Sequence, residues 1–268
     1  MEKELKKLYM SAFADSERYA LLFFDTLAKR AAVKTTRKNG ELACAFYLMP
    51  YDLKVSGEII KAFYFCAAAT ASQYRGQGLM SSLIMDTMQE LKEQGTGAVY
   101  LIPAGDPLFE FYKKFGFEPA FSICSEQILP CRNHDIKLHP LKSAAVMKKY
   151  YEKVLLPGRI NAIRPLYHFE FIIKEMAVVG GGCYEVFYKG KSEGYIVVQG
   201  DTVREAVCGI DHDILLPAVC AALGGKSMTA TLPAYLKRSG IIRKCGMILP
   251  LNCEIPAGDE NYINLLLN

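Results

Sequence analysis

A short glycine-bearing turn between an apolar segment and an amphipathic segment most constrains the fold of this chain. Residues 61–70 read KAFYFCAAAT, a run that is too short for a helix and predicts a buried strand. Residues 72–78 read SQYRGQG, and from Leu79 apolar residues recur every three or four positions, which predicts a helix. Such a turn leaves backbone N–H groups and the positive end of the helix dipole at one place, so we expect an anion site there.

The spacing of the glycines excludes the two most familiar phosphate loops. A P-loop needs the pattern G-x-x-x-x-G-K-[ST], which the chain does not offer here, and a dinucleotide loop needs a third glycine where Ser81 stands. The pattern that is present is Gln73-x-x-Gly76-x-Gly78. An ordinary strand-to-helix turn in an α/β domain remains the alternative interpretation.

A second motif follows along the chain. Residues 100–104 predict the next strand, and residues 106–115 predict a short helix, capped by Asp106, with Pro107 in its first turn. The segment 111–118 reads FYKKFGFE, and its phenylalanines are expected in the core. Tyr112 has two interpretations. Either its hydroxyl takes part in a reaction, or its ring packs in the core and its hydroxyl lies at the surface.

The two motifs together resemble the GNAT superfamily of N-acetyltransferases, whose coenzyme A loop reads Q/R-x-x-G-x-G/A. The resemblance implies that the pyrophosphate binds the loop and that the pantetheine arm binds unpaired backbone groups where the fourth strand splays from the fifth. It also implies that Tyr112 protonates the leaving thiolate. The implied cofactor-binding residues are Cys66, Ala67, Ala68, Tyr74, Arg75, Gly76, Gln77, Gly78 and Leu79. Arg75 either adds a charge-assisted bond to the phosphates or is a solvated loop arginine.

Residues 101–117 contain L-x-P-A, seven further residues, and Y-x-x-F-G-F. This sequence pattern resembles the enhanced-intracellular-survival branch of the superfamily, whose members have two tandem GNAT domains. In that branch a sterol-carrier-like domain usually follows, and we do not expect one here. The fold class implied is α/β (α+β): two tandem GNAT-like domains, each a mixed, mostly antiparallel sheet flanked by helices, the second degenerate. We place an acetyl-CoA-binding domain at 1–130 and a degenerate domain at 131–268, because residues 130–134 are polar and turn-prone.

The second half follows the first in element order only. A hairpin is predicted around residues 189–191, then a strand over 203–210, a helix over 214–223, and strands over 228–232 and 246–251. The turn Asp211-His212-Asp213 has no glycine and carries two carboxylates that would repel a phosphate, so this half should not bind coenzyme A. The run Gly180-Gly181-Gly182 precedes a strand, and we interpret it as a flexible connection rather than a phosphate loop.

The ends of the chain carry further expectations. Helices are predicted over 2–13 and 15–27, followed by a hairpin that turns at residues 38–41. Residues 262–267 predict an edge strand. The enhanced-intracellular-survival family uses a chain-terminal carboxylate as the general base. The alternative to an edge strand is therefore that this terminus takes part in catalysis. Other candidate bases are Glu58, Glu110 and Glu118, although exposed carboxylates are the commonest kind.

Composition restricts the class of protein. The length of 268 residues suits two domains, and 51% hydrophobic residues suffice for their cores. The nine cysteines form no C-x-x-C pair and the four histidines no ligand spacing, so we expect reduced thiols in a cytoplasmic protein and no metal. A net charge of +4 without a long basic run argues against nucleic acid, and the sequence has no signal-peptide pattern and no apolar run that could span a membrane.

The function that these patterns favour is N-acetyl transfer from acetyl-CoA to a small-molecule or protein amine, directly within a ternary complex. The alternative to direct transfer is a covalent mechanism with Cys66 as the nucleophile. However, no base or histidine stands beside Cys66 in the sequence to activate it. The hypothesis from another class is a catalytically retired, acyl-CoA-binding regulatory protein. Whether the protein is a monomer or a homo-oligomer stays open.

Overall fold

A computed structural model describes residues 1–154, 160–255 and 261–265. Its α-helices are α1 (Glu2–Ala12), α2 (Glu17–Thr26), α3 (Leu79–Glu93), α4 (Asp106–Lys113), α5 (Ala144–Val154), α6 (Leu166–Val178) and α7 (His212–Ala222). Its strands are β1 (Ala32–Lys38), β2 (Glu41–Met49), β3 (Leu53–Val55), β4 (Glu58–Ile60), β5 (Ala62–Thr70), β6 (Ala98–Leu101), β7 (Glu118–Ile128), β8 (Ile136–Pro140), β9 (Ile160–Ala162), β10 (Gly181–Tyr188), β11 (Lys191–Gln199), β12 (Thr202–Cys208), β13 (Met228–Pro233) and β14 (Ile241–Pro250).

The contacts divide the chain into two compact units that are not continuous in sequence. Unit 1 comprises the described residues of Met1–Leu53, Glu58–Ala120 and Gly246–Ala257, and unit 2 comprises those of Lys54–Gly57, Phe121–Cys245 and Gly258–Asn268. The chain therefore passes from unit 2 back to unit 1 within β14. The boundary near residue 130 stays a prediction.

In unit 1 the strands are ordered β1-β2-β5-β6-β14. The hairpin β1–β2 turns at Asn39 and Gly40, whose φ angles of 53° and 81° suit the turn that its sequence predicts. β5 runs antiparallel to β2 and parallel to β6, and β14 closes antiparallel on β6. The parallel step from β5 to β6 requires a crossover, which α3 supplies.

The two faces of the unit 1 sheet carry different helices. Phe46 and Phe65 pack with Ile84 and Met88 of α3 and Tyr112 of α4 in one buried cluster. On the other face, Phe23 and Phe24 of α2 pack on Tyr47 of β2, and Tyr9 of α1 packs on Phe23. Because side chains alternate along a strand, adjacent residues of β2 serve opposite layers.

In unit 2 the strands are ordered β7-β13-β12-β11-β10-β8. β12 runs parallel to β13, and α7 connects the two. Apolar side chains of α7 and the neighbouring strands form a second buried cluster around Val219 and Ala230. The expected mixed, mostly antiparallel sheets flanked by helices are confirmed.

Several local predictions need correction. Asp106 does not cap α4: Gly105 stands at the cap position without a side-chain hydrogen bond, although Pro107 does lie in the first turn. Gly181 and Gly182 are not a flexible connection but the start of β10. At Gly181 a β-carbon would lie 2.6 Å from the carbonyl oxygen of Val198, so the strand needs glycine there.

The C-terminal segment also differs from its prediction. Residues 261–265 form no strand, yet Tyr262, Ile263 and Leu265 are buried. The carbonyl of Asn261 accepts a hydrogen bond from the N–H of Ser122. The rest of the predicted edge strand and the chain-terminal carboxylate lie outside the described residues.

Candidate active site

A splayed strand edge forms the first part of the site. β5 pairs with β6 at only three positions, Ala62 to Tyr64, because β6 ends at Leu101 whereas β5 continues to Thr70. Beyond those pairs, no described strand covers this edge of β5. Its backbone groups are therefore available to an extended ligand such as a pantetheine arm.

A bulge lies in the middle of that open edge. Ala67 has φ of +51°, and the register between β2 and β5 shifts between Ala45 and Tyr47. A β-bulge redirects the strand locally, and a non-glycine residue at positive φ stores strain of a kind often found at functional sites. Cys66, Ala67 and Ala68 are all half-buried, and their small side chains leave the backbone approachable.

The loop before α3 forms the second part. Gly76 and Gly78 have φ of +72° and +75°, and Gly78 is the N-cap of α3 without a side-chain cap. The N–H groups of residues 76–81 have no hydrogen-bond partner in the described part of the chain. A row of free N–H groups at a helix N-terminus is an anion site.

The donors are not all those that the sequence predicted. The N–H groups of Tyr74 and Arg75 already bind the carbonyls of Ala71 and Ser72, in a short 3-10 helix. Tyr74 is buried, and its hydroxyl donates to the carboxylate of Glu41 at 2.8 Å. In contrast, Met80 and Ser81 offer free N–H groups that the sequence reasoning missed, although their place in the first helical turn was the available signal.

Tyr112 forms the third part. Its ring is buried beside Phe65, Phe111 and Phe117, with centroid distances of 5.7, 5.2 and 5.8 Å. Its hydroxyl has no hydrogen-bond partner among the described residues. Burial, and then the thiol of Cys66, raise the pKa of Tyr112 above its ordinary value, so the hydroxyl keeps its proton at neutral pH. A protonated hydroxyl is what a general acid needs.

Cys66 lies among three tyrosines that belong to both faces of the sheet. Its thiol contributes to raising the pKa of Tyr112, on the α4 face, and of Tyr9 and Tyr47, on the α1 and α2 face. Tyr47 is also the cross-strand partner of Cys66. Burial raises the pKa of the Cys66 thiol itself to about 12, so it is a poor nucleophile at neutral pH.

The α1 and α2 face contributes polar groups that the sequence reasoning missed. The hydroxyl of Tyr9 donates to the Asp15 carboxylate at 2.5 Å, and the buried hydroxyl of Tyr47 has no partner in the described part of the chain. Tyr9 and Asp15 lie far from Tyr47 and Cys66 in the sequence, and the packing of α1 and α2 on the sheet brings the hydroxyls of Tyr9 and Tyr47 near Cys66. The sequence offered no spacing that could have revealed them.

The three carboxylates considered as bases are all exposed. Glu110 forms an ion pair with Lys113 on its own helix at 2.6 Å, and Glu58 and Glu118 lie in exposed strand ends. None of them is buried beside Tyr112 or Cys66.

Residues 2–120 match the family model described as an acetyltransferase (GNAT) domain. This segment is a GNAT domain. The recognition of the superfamily is thereby confirmed, and acyl transfer is the chemistry that such a domain supports. The predicted site residues lie within the matched segment, but their individual roles stay predictions. No curated protein matches the chain.

Solved structures resemble almost the whole chain. A conserved protein from Enterococcus faecalis V583, described as a probable N-acyltransferase, superposes with a TM-score of 0.76 at 17% identity, over 94% of this chain and 70% of the other. Eis1 from Mycobacterium abscessus gives a TM-score of 0.67 at 15% identity, with the same coverage of both chains. A GCN5-related N-acetyltransferase from Anabaena variabilis gives 0.69 at 20%, over 94% and 69%. At such identities these likenesses show the fold.

Among the described residues, no helix is both long and apolar enough to cross a membrane.

Proposed function

We propose that the protein is an N-acetyltransferase that transfers the acetyl group of acetyl-CoA to an amine acceptor. The observation that carries the proposal is the row of free N–H groups at residues 76–81, next to the open edge of β5. Pyrophosphate would bind the N–H groups, and the pantetheine arm would extend along Cys66, Ala67 and Ala68. Only a ligand with an anionic head and a long amide-bearing arm uses both features together.

The transfer would occur directly within a ternary complex. The amine nitrogen would attack the thioester carbonyl, so that a C–N bond forms and the C–S bond breaks. Tyr112 would give its proton to the departing sulfur and regain one from solvent, and the amine would lose a proton to a base. The raised pKa of the Cys66 thiol supports direct transfer, because a protonated thiol does not form an acyl-enzyme readily.

The acceptor would approach from the α1 and α2 face. Tyr112 reaches the site from the opposite face, so the donor sulfur and the acceptor would lie on different sides of β5. The hydroxyls of Tyr9 and Tyr47 are polar groups near Cys66 on that side, and the Asp15 carboxylate accepts the hydrogen bond of Tyr9. We therefore assign Asp15 the role of orienting the amine and accepting its proton.

The proposal includes a cytoplasmic location, because all nine cysteines are free thiols and such thiols persist in a reducing compartment.

The test is release of coenzyme A thiol from acetyl-CoA in the presence of a panel of primary amines and amine-bearing peptides. We expect release that depends on the amine and yields equal amounts of thiol and acetylated product. Tight binding of acetyl-CoA with no amine-dependent release would contradict the enzyme and favour the acyl-CoA-binding regulator.

A further inference from the structure

The cationic side chains of β1 differ in whether their charge is neutralised. Arg37 forms an ion pair with Glu4 at 2.7 Å, and Lys34 forms one with Glu90 at 2.6 Å. Lys38 instead donates to the neutral side-chain oxygen of Gln77 at 2.5 Å, and it has no carboxylate partner within the described part of the chain. Its full charge is therefore available to an anion.

The contact with Gln77 places this charge at the row of free N–H groups. Gln77 belongs to that row, and its side-chain nitrogen donates to the carbonyl of Gln73 at 2.9 Å, which fixes the amide. Tyr74 ties the loop to the β1–β2 hairpin, because its hydroxyl lies 3.3 Å from the carbonyl of Lys38 and 2.8 Å from Glu41. Lys38 is thus held at the loop by two independent contacts.

Arg75 is the second available cation of the loop. Its Nε donates to the carbonyl of Thr70 at 3.1 Å, and its terminal nitrogens have no partner among the described residues. The loop therefore offers free N–H groups together with two uncompensated cations, which is more positive charge than one phosphate needs. Coenzyme A carries three phosphate groups, two in its pyrophosphate and one on its ribose, whereas phosphopantetheine carries one.

We propose that Lys38 binds a phosphate in the nucleotide half of the donor, so that the site selects coenzyme A thioesters over phosphopantetheine thioesters. The inference rests on the proposed function, since it concerns the same loop. The sequence does not suggest a cofactor contact for Lys38, because this residue of the β1–β2 hairpin precedes the loop by more than thirty residues. Only the fold brings its side chain to the loop.

The experiment compares the binding of coenzyme A, dephospho-coenzyme A and 4′-phosphopantetheine by calorimetry at low ionic strength. Lys38→Gln should weaken coenzyme A about tenfold, the size of one lost charge-assisted hydrogen bond. Lys38→Arg should restore most of the affinity. Lys34→Gln, which removes a lysine of the same strand whose charge is already paired, should change the affinity less than about twofold.

The three ligands separate the possible phosphate partners. The effect of Lys38→Gln should vanish for 4′-phosphopantetheine. If it also vanishes for dephospho-coenzyme A, the partner is the ribose phosphate. If it persists there, the partner is the adenosine-side phosphate of the pyrophosphate; either result supports the proposal.

Two results overturn the inference while leaving the proposed function intact. One is an unchanged affinity for coenzyme A in Lys38→Gln. The other is an equal loss for all three ligands, which would mean that Lys38 only shapes the loop. No binding of coenzyme A to the unaltered protein would instead overturn both proposals.

Discussion

The two units each contain a helix that follows a strand with a parallel neighbour, yet the two helix N-termini differ in what their N–H groups bind. At α3 the cap is Gly78, and the N–H groups of residues 76–81 are free within the described part of the chain. At α7 the cap is Asp211, whose carboxylate accepts from Asp213 at 2.9 Å and whose carbonyl accepts from Ile214 and Leu215. One aspartate thus uses the donors that an anion would need.

The surroundings of α7 extend the contrast. The Arg238 side chain binds Glu126 through Nε at 2.5 Å and Asp213 through Nη2 at 2.7 Å, so this cation at the helix end is already neutralised. A cavity of about 350 Å³ lies here, and carboxylates and Arg238 line much of it. Strand order alone therefore does not make a coenzyme A site. The cap residue and the nearby charges determine whether the end of the helix accepts an anion.

The largest expected effect comes from Gly76→Asp. The new carboxylate would lie among the free N–H groups and repel the pyrophosphate, so the affinity for acetyl-CoA should fall by at least about 100-fold, which is about 2.7 kcal/mol. Gly95→Asp is a matched control, because Gly95 has a similar φ of +73°, equally open surroundings, and a place at the far end of α3. Calorimetry showing equal losses in both variants would mean that the effect comes from backbone strain.

Tyr112→Phe tests chemistry rather than binding. The phenylalanine keeps the ring packing and removes only the proton donor, so turnover should fall about 100-fold while the affinity for acetyl-CoA stays nearly unchanged. Because the pKa of Tyr112 is raised, the rate of the unaltered protein should show no loss from ionisation of this hydroxyl at or below its ordinary pKa of 10.0. Tyr188→Phe, in unit 2, should have no effect, and normal turnover in Tyr112→Phe would remove the residue from this role.

Asp15→Asn should have a smaller effect. The amide keeps the shape of the side chain but accepts no proton, so turnover should fall about tenfold with little change in acetyl-CoA affinity. Asp25→Asn on α2 is the control, since Asp25 is exposed and pairs with Lys29 of the following turn. A loss that appears in the affinity for acetyl-CoA instead of turnover would contradict the assignment of Asp15 to the acceptor side.

The smallest expected effect concerns the cap in unit 2. Asp211→Gly frees the N–H of Asp213, yet Glu126 and Asp213 remain, so no second acetyl-CoA should bind. Loss of the cap side chain should lower the free energy of unfolding by a few tenths of a kcal/mol to about 1 kcal/mol, measured by urea denaturation. Binding of a second acetyl-CoA by this variant would show that the cap alone makes the difference.

The parts of the fold that local patterns determine were predicted well. The β1–β2 hairpin, β5, α3 and α7 follow from turn residues and from apolar periodicity over a few residues. α6 was missed because its sequence hides the helical period: apolar Leu166 is exposed, whereas polar His168 and Glu175 are buried.

The candidate site was only partly accessible to sequence reasoning. The loop and Tyr112 lie in motifs, whereas Lys38, Tyr9 and Asp15 reach the site through packing between distant segments, which no local pattern encodes. The prediction that Asp106 caps α4 was wrong, because a residue type that suits the cap position does not always occupy it.

The number of acetyl-CoA molecules bound per chain tests the contrast between the two helix ends most directly. Calorimetric titration of the unaltered protein should give one site per chain, and Gly76→Asp should remove it, whereas Gly95→Asp should retain it. Two sites per chain, or one site that persists in Gly76→Asp, would contradict the account.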